Sequence, residues 1–307
     1  MAKSFRDKIQ ITGYDELFGG SSGGACDADI REISLSVLHP FAGHPFKVKD
    51  DEEMERLIES VKENGILVPA LARIDKALGG YELISGHRRK RAAELAGLSS
   101  MPVIVRDIDD DTSTIAMVDA NLQREKILPS EKAFAYKMKL EALKHQGKRN
   151  DIGEEATCGP RDHKLKARDI VAEDAGESAV QVRRYIRLTE LCEGLLDKVD
   201  EGNIGLKQGV EFSYLNKNEQ RSLLSVLNEL DIRPSTEQAT RIRSLSKEGH
   251  CTKDSIYAVL HEEPIKPRKF VIKSDQLAKY FPENVSDEVI ERTIFELLDK
   301  WKKQTGV

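Results

Sequence analysis

The stretch YELISGHRRKRAAELAG, residues 81–97, decides how the chain is read. Tyr81 to Ile84 is a short apolar run between Gly79-Gly80 and Ser85-Gly86, the punctuation of a strand. Ala92, Ala93, Leu95 and Ala96 before Gly97 predict a helix and its C-terminal stop. Between the two lie His87, Arg88, Arg89, Lys90 and Arg91, read as five positive side chains in the first turns of that helix. A helix start is already the positive end of the peptide dipole and carries unpaired N–H groups, so crowding cations there costs stability. An anion reverses the balance. A phosphate seated on the Ser85 and Gly86 amides takes up the orphan donors, while Arg88 and Arg89 grip its oxygens in fork geometry. Gly86 gives the backbone room to approach such a ligand. The competing reading is a surface helix whose arginines are solvated or paired with carboxylates. The coincidence of strand, glycine turn and cationic helix start favours the anion site.

Upstream, Ile30 to Leu38 alternates through Ile33, Leu35 and Val37 and predicts one strand, followed by a loop from Pro40 to Val48. Asp50 to Asn64 predicts an amphipathic helix with Met54, Leu57, Ile58 and Val61 on one face and Gly65 as its stop. Gly65, Ile66, Leu67, Val68 and Pro69 then form a turn. Downstream, Met101 to Arg106 predicts a strand, and the acidic Asp107–Asp111 region leads into a helix from Thr112 to Asn121. Strand, helix, strand in this order imply a small α/β domain.

Leu128-Pro129-Ser130-Glu131 starts a further helix, with Ser130 as its cap. Lys132 to Gln146 continues it, with Phe134, Met138 and Leu143 inward; Lys137, Lys139 and Lys144, with Lys148 and Arg149 beyond, make the segment basic. Gly147 to His163 lacks apolar periodicity and reads as a loop. Lys166 to Glu173, the turn at Ala175-Gly176 and a helix capped by Ser178 and running to Leu188 have the spacing of a helix-turn-helix. Its second helix is expected to expose Ser178, Gln181, Arg183, Arg184 and Arg187, side chains suited to base edges and phosphates. A plain helical hairpin with a basic outer face is the alternative; agreement of motif and charge favours DNA. Leu191 to Leu260 continues as helices; Glu263 to Arg268, with Pro264 and Pro267, reads as a linker, Lys269 to Lys273 as strand-like and Asp287 to Lys302 as an amphipathic helix.

GHRRKRA (Gly86 to Ala92) resembles the arginine-rich signature of the ParB/RepB partition proteins, and ANLQRE (Ala120 to Glu125) resembles their second signature. The resemblance runs in register through the helix-turn-helix to about Leu191 and is of the plasmid or mobile-element type. It implies a CTP-dependent clamp that recognises a centromere-like palindromic site in double-stranded DNA and slides from it. It also implies a homodimer joined through the C-terminal unit and a ParA-type ATPase partner engaged by the N-terminal tail. Carried onto this chain, the nucleotide contacts are Gly65, Ile66, Val68, Pro69, Ser85, Gly86, His87, Arg88, Arg89, Asn121 and Arg124, with Asn121 also a magnesium ligand. For Arg124, a salt bridge with Glu125 or Glu131 is an equal alternative. The chain departs from the family at His44-Pro45-Phe46, where Gln-Pro-Arg is usual, and at Ala120, where a glutamate is usual. The second change removes a carboxylate suited to metal binding, so nucleotide binding is expected ahead of hydrolysis, with a weak CTP hydrolase left open. A transcriptional regulator of the same ancestry without a nucleotide switch is the second reading, and a ParB-like nuclease the third.

The 307 residues, 33% charged and 39% hydrophobic, fit two or three modest cores. The expected class is α+β, mostly α. A flexible tail (1–29, with the linker-like FGGSSGGA) precedes an α/β nucleotide-binding domain (30–126). A helical DNA-binding domain (127–262, helix-turn-helix 166–188) and a small C-terminal helical association unit (263–307) follow. No run approaches a membrane span, and residues 1–20 lack a signal peptide's apolar centre. Cys26, Cys158, Cys192 and Cys251 are scattered without metal spacing, as in a cytoplasmic, nucleoid- or plasmid-associated protein. The net charge of −5 does not count against DNA, because the basic residues are clustered.

Overall fold

The computed structural model describes residues 30–124, 127–151, 167–262, 280–281 and 285–305. The expected tail, the linker after Glu262 and the strand at 269–273 lie outside the described residues, as does most of the expected loop at 147–163. Two compact units divide the chain, Met1–Glu262 and Glu263–Val307.

The class is α+β, mostly α. In chain order the first unit runs β1 (Ile30–Ser34), β2 (Leu38–Pro40), α1 (Glu52–Asn64), β3 (Ala70–Ile74), β4 (Tyr81–Ser85), α2 (His87–Ala96), β5 (Ser100–Val105) and α3 (Asp110–Leu122). Helices follow: α4 (Pro129–Asp151), α5 (Ala167–Asp174), α6 (Ala179–Leu188), α7 (Glu193–Asp200), α8 (Leu206–Phe212), α9 (Lys217–Leu230), α10 (Thr236–Lys247) and α11 (Lys253–His261). The second unit holds α12 (Asp287–Thr305), with Phe295, Leu297, Leu298 and Trp301 each more than half exposed.

The five strands lie in the order β1-β5-β3-β4-β2. The single strand expected at Ile30–Leu38 is broken by a 3-10 turn at Leu35–Val37, and its halves take opposite edges. β1 pairs antiparallel with β5, and β2 pairs parallel with β4. β1 buries Ile33 and β2 buries Leu38, so the inward positions change parity across the turn, and Val37, part of the expected alternation, is left exposed. One sheet face packs Ile33, Leu38, Ala70, Leu83 and Met101 together. The other sets Leu71, Ile84 and Ile104 against Met117 of α3 and Ala135 of α4. Met54, Val61 and Ala92 lock α1 to α2.

α4 is the axle of this unit. Ala135 enters the sheet core, Tyr136 and Leu143 pack with Ile170, Val171 and Val182 of the α5–α6 hairpin, and Ala133 joins the core of the later helices. A helix that meets neighbours on several sides carries no single apolar stripe. The sequence register therefore misjudged it. Phe134, expected inward, is 39% exposed, and Lys139, expected on a basic outer face, is 1% exposed. Nor is Ser130 the cap: the helix begins at Pro129, and Ser130 donates its N–H and its hydroxyl to Asp200 of α7. The helix also runs on to Asp151, past the expected end at Gln146. Among the described residues no helix is long and apolar enough to cross a membrane.

Candidate nucleotide and nucleic-acid sites

Ser85 ends β4, and Gly86 turns the chain into α2 at φ 107°, the left-handed region that favours glycine. A Cβ on Gly86 would stand 2.8 Å from the Ala70 Cβ of β3, so a side chain would collide with the neighbouring strand. No side chain caps α2. The expected cations all reach protein acceptors. Arg88 meets Asp51 at 3.2 Å and Glu53 at 3.3 Å, at the start of α1. Arg89 donates to the carbonyls of Val68 (2.6 Å) and Pro69 (2.8 Å). Lys90 donates to the Leu38 carbonyl at 2.8 Å, and Arg91 pairs with Asp50 at 2.9 Å. The carboxylate-pairing alternative is thus met at Arg88 and Arg91, Arg89 fastens backbone, and Lys90 does both, reaching Glu94 at 3.5 Å as well as the Leu38 carbonyl. Asp50, the N-cap Asp51 and Glu53 of the first turn of α1 supply the partners, a charge placement that its own dipole favours.

His87 is not a fifth cation. Burial pushes its pKa down to about 3, and the nearby His44 and Lys90 push the same way. The neutral ring accepts from the Phe41 N–H at 3.5 Å and lies against His44, tilted by 41° with centroids 3.9 Å apart. The departure at His44-Pro45-Phe46 explains itself here: His44 meets His87, and Phe46 is buried in the sheet core, where an arginine would not fit.

Beside α2 opens a cleft of about 820 Å³ between the sheet half and α4. Lys47, Lys49, Arg88, Arg124 and Lys132 line it against Asp51, Glu53 and Glu131, five cations to three carboxylates. It brings together Arg88 of the first signature and Arg124 of the second. Gly65, Ile66, Val68, Pro69, Ser85, Gly86, His87, Arg89 and Asn121 lie outside its lining. Ser85 and Gly86 nonetheless carry the turn that aims Arg88, and Arg89 holds the Gly65–Pro69 turn. The side-chain amide of Asn121 donates to the Met117 carbonyl of its own helix at 2.8 Å. Glu131 accepts from the N–H groups of Lys47 (2.8 Å) and Leu128 (3.0 Å), which commits it to backbone; Glu125 lies outside the described residues. Sequence reasoning missed Lys47, Lys49 and Lys132. Two lysines in a loop and one in the first turn of a lysine-rich helix give no local sign that they share a cleft.

The α5–α6 hairpin turns at Gly176, φ 65°, and Ser178 caps α6 by accepting from the Gln181 N–H. Arg183 is exposed, and Gln181 and Arg184 are half-buried. Arg187, expected outward, is folded back. Its guanidinium donates to the hydroxyl (3.0 Å) and carbonyl (2.9 Å) of Ser213 and lies 4.3 Å from the Tyr214 ring centroid. The last turn of α6 faces α8, so a long side chain there has a neighbour to pack on rather than water.

Residues 22–122 match the ParB N-terminal domain, the class that the sheet and the arginine-rich helix define. The chain is 32% identical over 207 residues to stage 0 sporulation protein J of Bacillus subtilis, covering 66% of this chain and 65% of that one. It is 30% identical over 256 residues to a probable chromosome-partitioning protein ParB of Mycobacterium leprae, covering 82% of this chain and 67% of that one. This chain belongs to the ParB family. Its backbone also aligns with the C-terminally truncated ParB of Caulobacter crescentus. The form complexed to the centromeric parS site gives a TM-score of 0.39 at 21% identity, over 71% of this chain and 99% of that one. The form complexed with CTP-gamma-S gives 0.30 at 22% identity, over 74% and 98%.

Proposed function

We propose that the chain is a DNA-binding partition protein that recognises a centromere-like palindromic site and is gated by CTP with magnesium. The observation that carries this reading is the meeting of Arg88 and Arg124, one from each signature, in a basic cleft large enough for a nucleotide. Lysine and arginine side chains converging from separate elements suit a triphosphate, whose charge is spread over several oxygens. The reading assigns nucleotide binding to residues 30–126 and DNA contact to the hairpin within 127–262, chiefly Ser178, Gln181, Arg183 and Arg184. Arg187 becomes a support for α6 rather than a base contact, since Ser213 and Tyr214 already engage it. Residues 263–307 then serve self-association through the exposed apolar side chains of α12, and the tail at 1–29 the ParA-type ATPase.

A nucleotide between the two halves favours whichever arrangement it contacts better, and this linkage is what closes a clamp. Magnesium would fall to the phosphates and to the Asn121 amide oxygen once its side chain turned outward. With Ala120 in place of a glutamate the reading assigns binding and leaves hydrolysis unassigned. The sequence reading puts the chain on a plasmid or mobile element, whereas the Mycobacterium leprae relative carries a chromosome-partitioning name; sequencing the DNA that co-precipitates with it decides between them.

Isothermal titration with CTP and magnesium, without DNA, tests the proposal: heat is expected for the native chain and none for Arg88→Ala. A second reading, a site-specific regulator without a nucleotide switch, draws on the pairing of Arg88 and Arg91 with carboxylates of the chain itself. Absence of heat with the native chain, alongside retained site-specific DNA binding, selects it.

A further inference from the structure

Two lysines two turns apart on α4, Lys132 and Lys139, both hold the turn that leads into α6, and they hold it differently. Lys139 is buried between Asp119 of α3 and Asp174 at the end of α5, with Asp174 at 2.7 Å. A lysine enclosed by two carboxylates has no route to an outside partner, and removing it would leave Asp119 without its cation. Lys132 is open to the cleft. Its ammonium sits 2.7 Å from Oε1 of Glu177 and 5.3 Å from the centroid of the Tyr185 ring of α6. Glu177 gives Lys132 only one oxygen: its Oε2 is buried beside the Tyr136 hydroxyl. A carboxylate held through one oxygen grips its cation less than a bidentate pair does, and a phosphate offers more acceptors at higher charge.

Resting on the reading of the cleft as a nucleotide site, we propose that Lys132 is a phosphate ligand that exchanges Glu177 for the bound triphosphate and so releases the turn between α5 and α6. When Lys132 leaves, Glu177 remains as an enclosed carboxylate beside the Tyr136 hydroxyl, which burial and the Glu177 charge already hold above its ordinary range. Enclosure without a cation is unfavourable for that carboxylate, so residues 174–178 move to bring it to water. Tyr185 loses its cation in the same step. The exchange thus ties occupation of the cleft to the start of the helix assigned to DNA, with Lys139 as the fixed point.

Titration with CTP and magnesium, combined with hydrogen exchange across residues 174–182 of the full chain, tests this. In the native chain, saturating CTP should speed exchange at that turn. Lys132→Met should bind CTP about tenfold more weakly, and its turn should exchange quickly before any nucleotide is added. Glu177→Gln frees Lys132 and should bind CTP about threefold to tenfold more tightly, an opposite sign that a merely structural pair would not give. Native affinity in folded Lys132→Met, weaker binding by Glu177→Gln, or a turn indifferent to CTP in the native chain overturns the exchange. Should Lys132→Met not fold, the sign of the Glu177→Gln change decides. If the native chain binds CTP and Arg88→Ala does not, but affinity is unchanged in both variants, the cleft reading stands and this inference falls. If the native chain binds none, both fall.

Discussion

α2 and α6 carry similar runs of arginine, and the molecule treats them differently. In α2, Arg88 and Arg91 rest on Asp51, Glu53 and Asp50, while Arg89 and Lys90 hold the carbonyls of Val68, Pro69 and Leu38. In α6, Arg183 is exposed and Arg184 half-exposed, and Arg187 alone is turned back onto Ser213 and Tyr214. The first helix uses its charge to join β2, the start of α1 and the Gly65–Pro69 turn. The second leaves charge at the surface. Count and spacing alone therefore do not say what an arginine run does; the placement of acceptors does. Changes in α2 should register first as lost stability, and changes on the outer face of α6 as lost affinity.

The largest effect is expected at the entrance to α2. Gly86→Ala combines a left-handed backbone with a Cβ 2.8 Å from Ala70, and should cost about 2–4 kcal/mol, read as a lower urea midpoint. An unchanged midpoint would mean that the strand–helix junction is not fixed as described. Next comes His87. Its folded pKa of about 3 lies below the ordinary 6.5, so the neutral ring stabilises the fold above 6.5. That contribution is lost as pH falls from 6.5 toward 3, because the unfolded chain takes up the proton first. Between pH 6.5 and 5 the loss should approach about 1.4 kcal/mol per pH unit, and His87→Asn should flatten this part of the urea-midpoint profile. Arg89→Ala removes two donors to the Gly65–Pro69 turn and should cost about 1–2 kcal/mol, with weaker CTP binding and site-specific DNA contact largely retained. Arg183→Ala should leave stability within about 0.5 kcal/mol while lowering the salt dependence of DNA binding by about one unit of log–log slope. If Arg183→Ala destabilised the chain as much as Arg89→Ala, the contrast between the helices would collapse.

Residues 81–97 were legible because every signal in them is local. Gly79-Gly80 and Gly86 bracket a strand, and Gly97 closes a helix at φ 82°. The α5–α6 hairpin was legible for the same reason, through Gly176 and the Ser178 cap. What escaped is non-local. The partners of Lys139 lie 20 residues before and 35 after it, so nothing near it distinguishes a buried triad from a solvated basic face. Lys47 and Lys132 come from a loop and a helix start that only folding brings to one cleft. His87 reads as a cation until the burial of its ring is known. Phe134 and Ser130 were misassigned because α4 is packed on several sides, and a single-face register does not describe it.

The break at Leu35–Val37 has a consequence for how the molecule is made. Eleven residues, Ile30 to Pro40, supply both margins of the sheet, and β1 finds its partner only at Ser100–Val105. On a ribosome that strand emerges early and must wait until β5 has left the tunnel, while β2 waits only for β4. The sheet is therefore sealed by its oldest segment, and a polymerised chain halted before Val105 would hold an unmated ribbon with an open side. Stalled nascent chains of increasing length should resist protease abruptly once that strand is free, rather than by gradual steps.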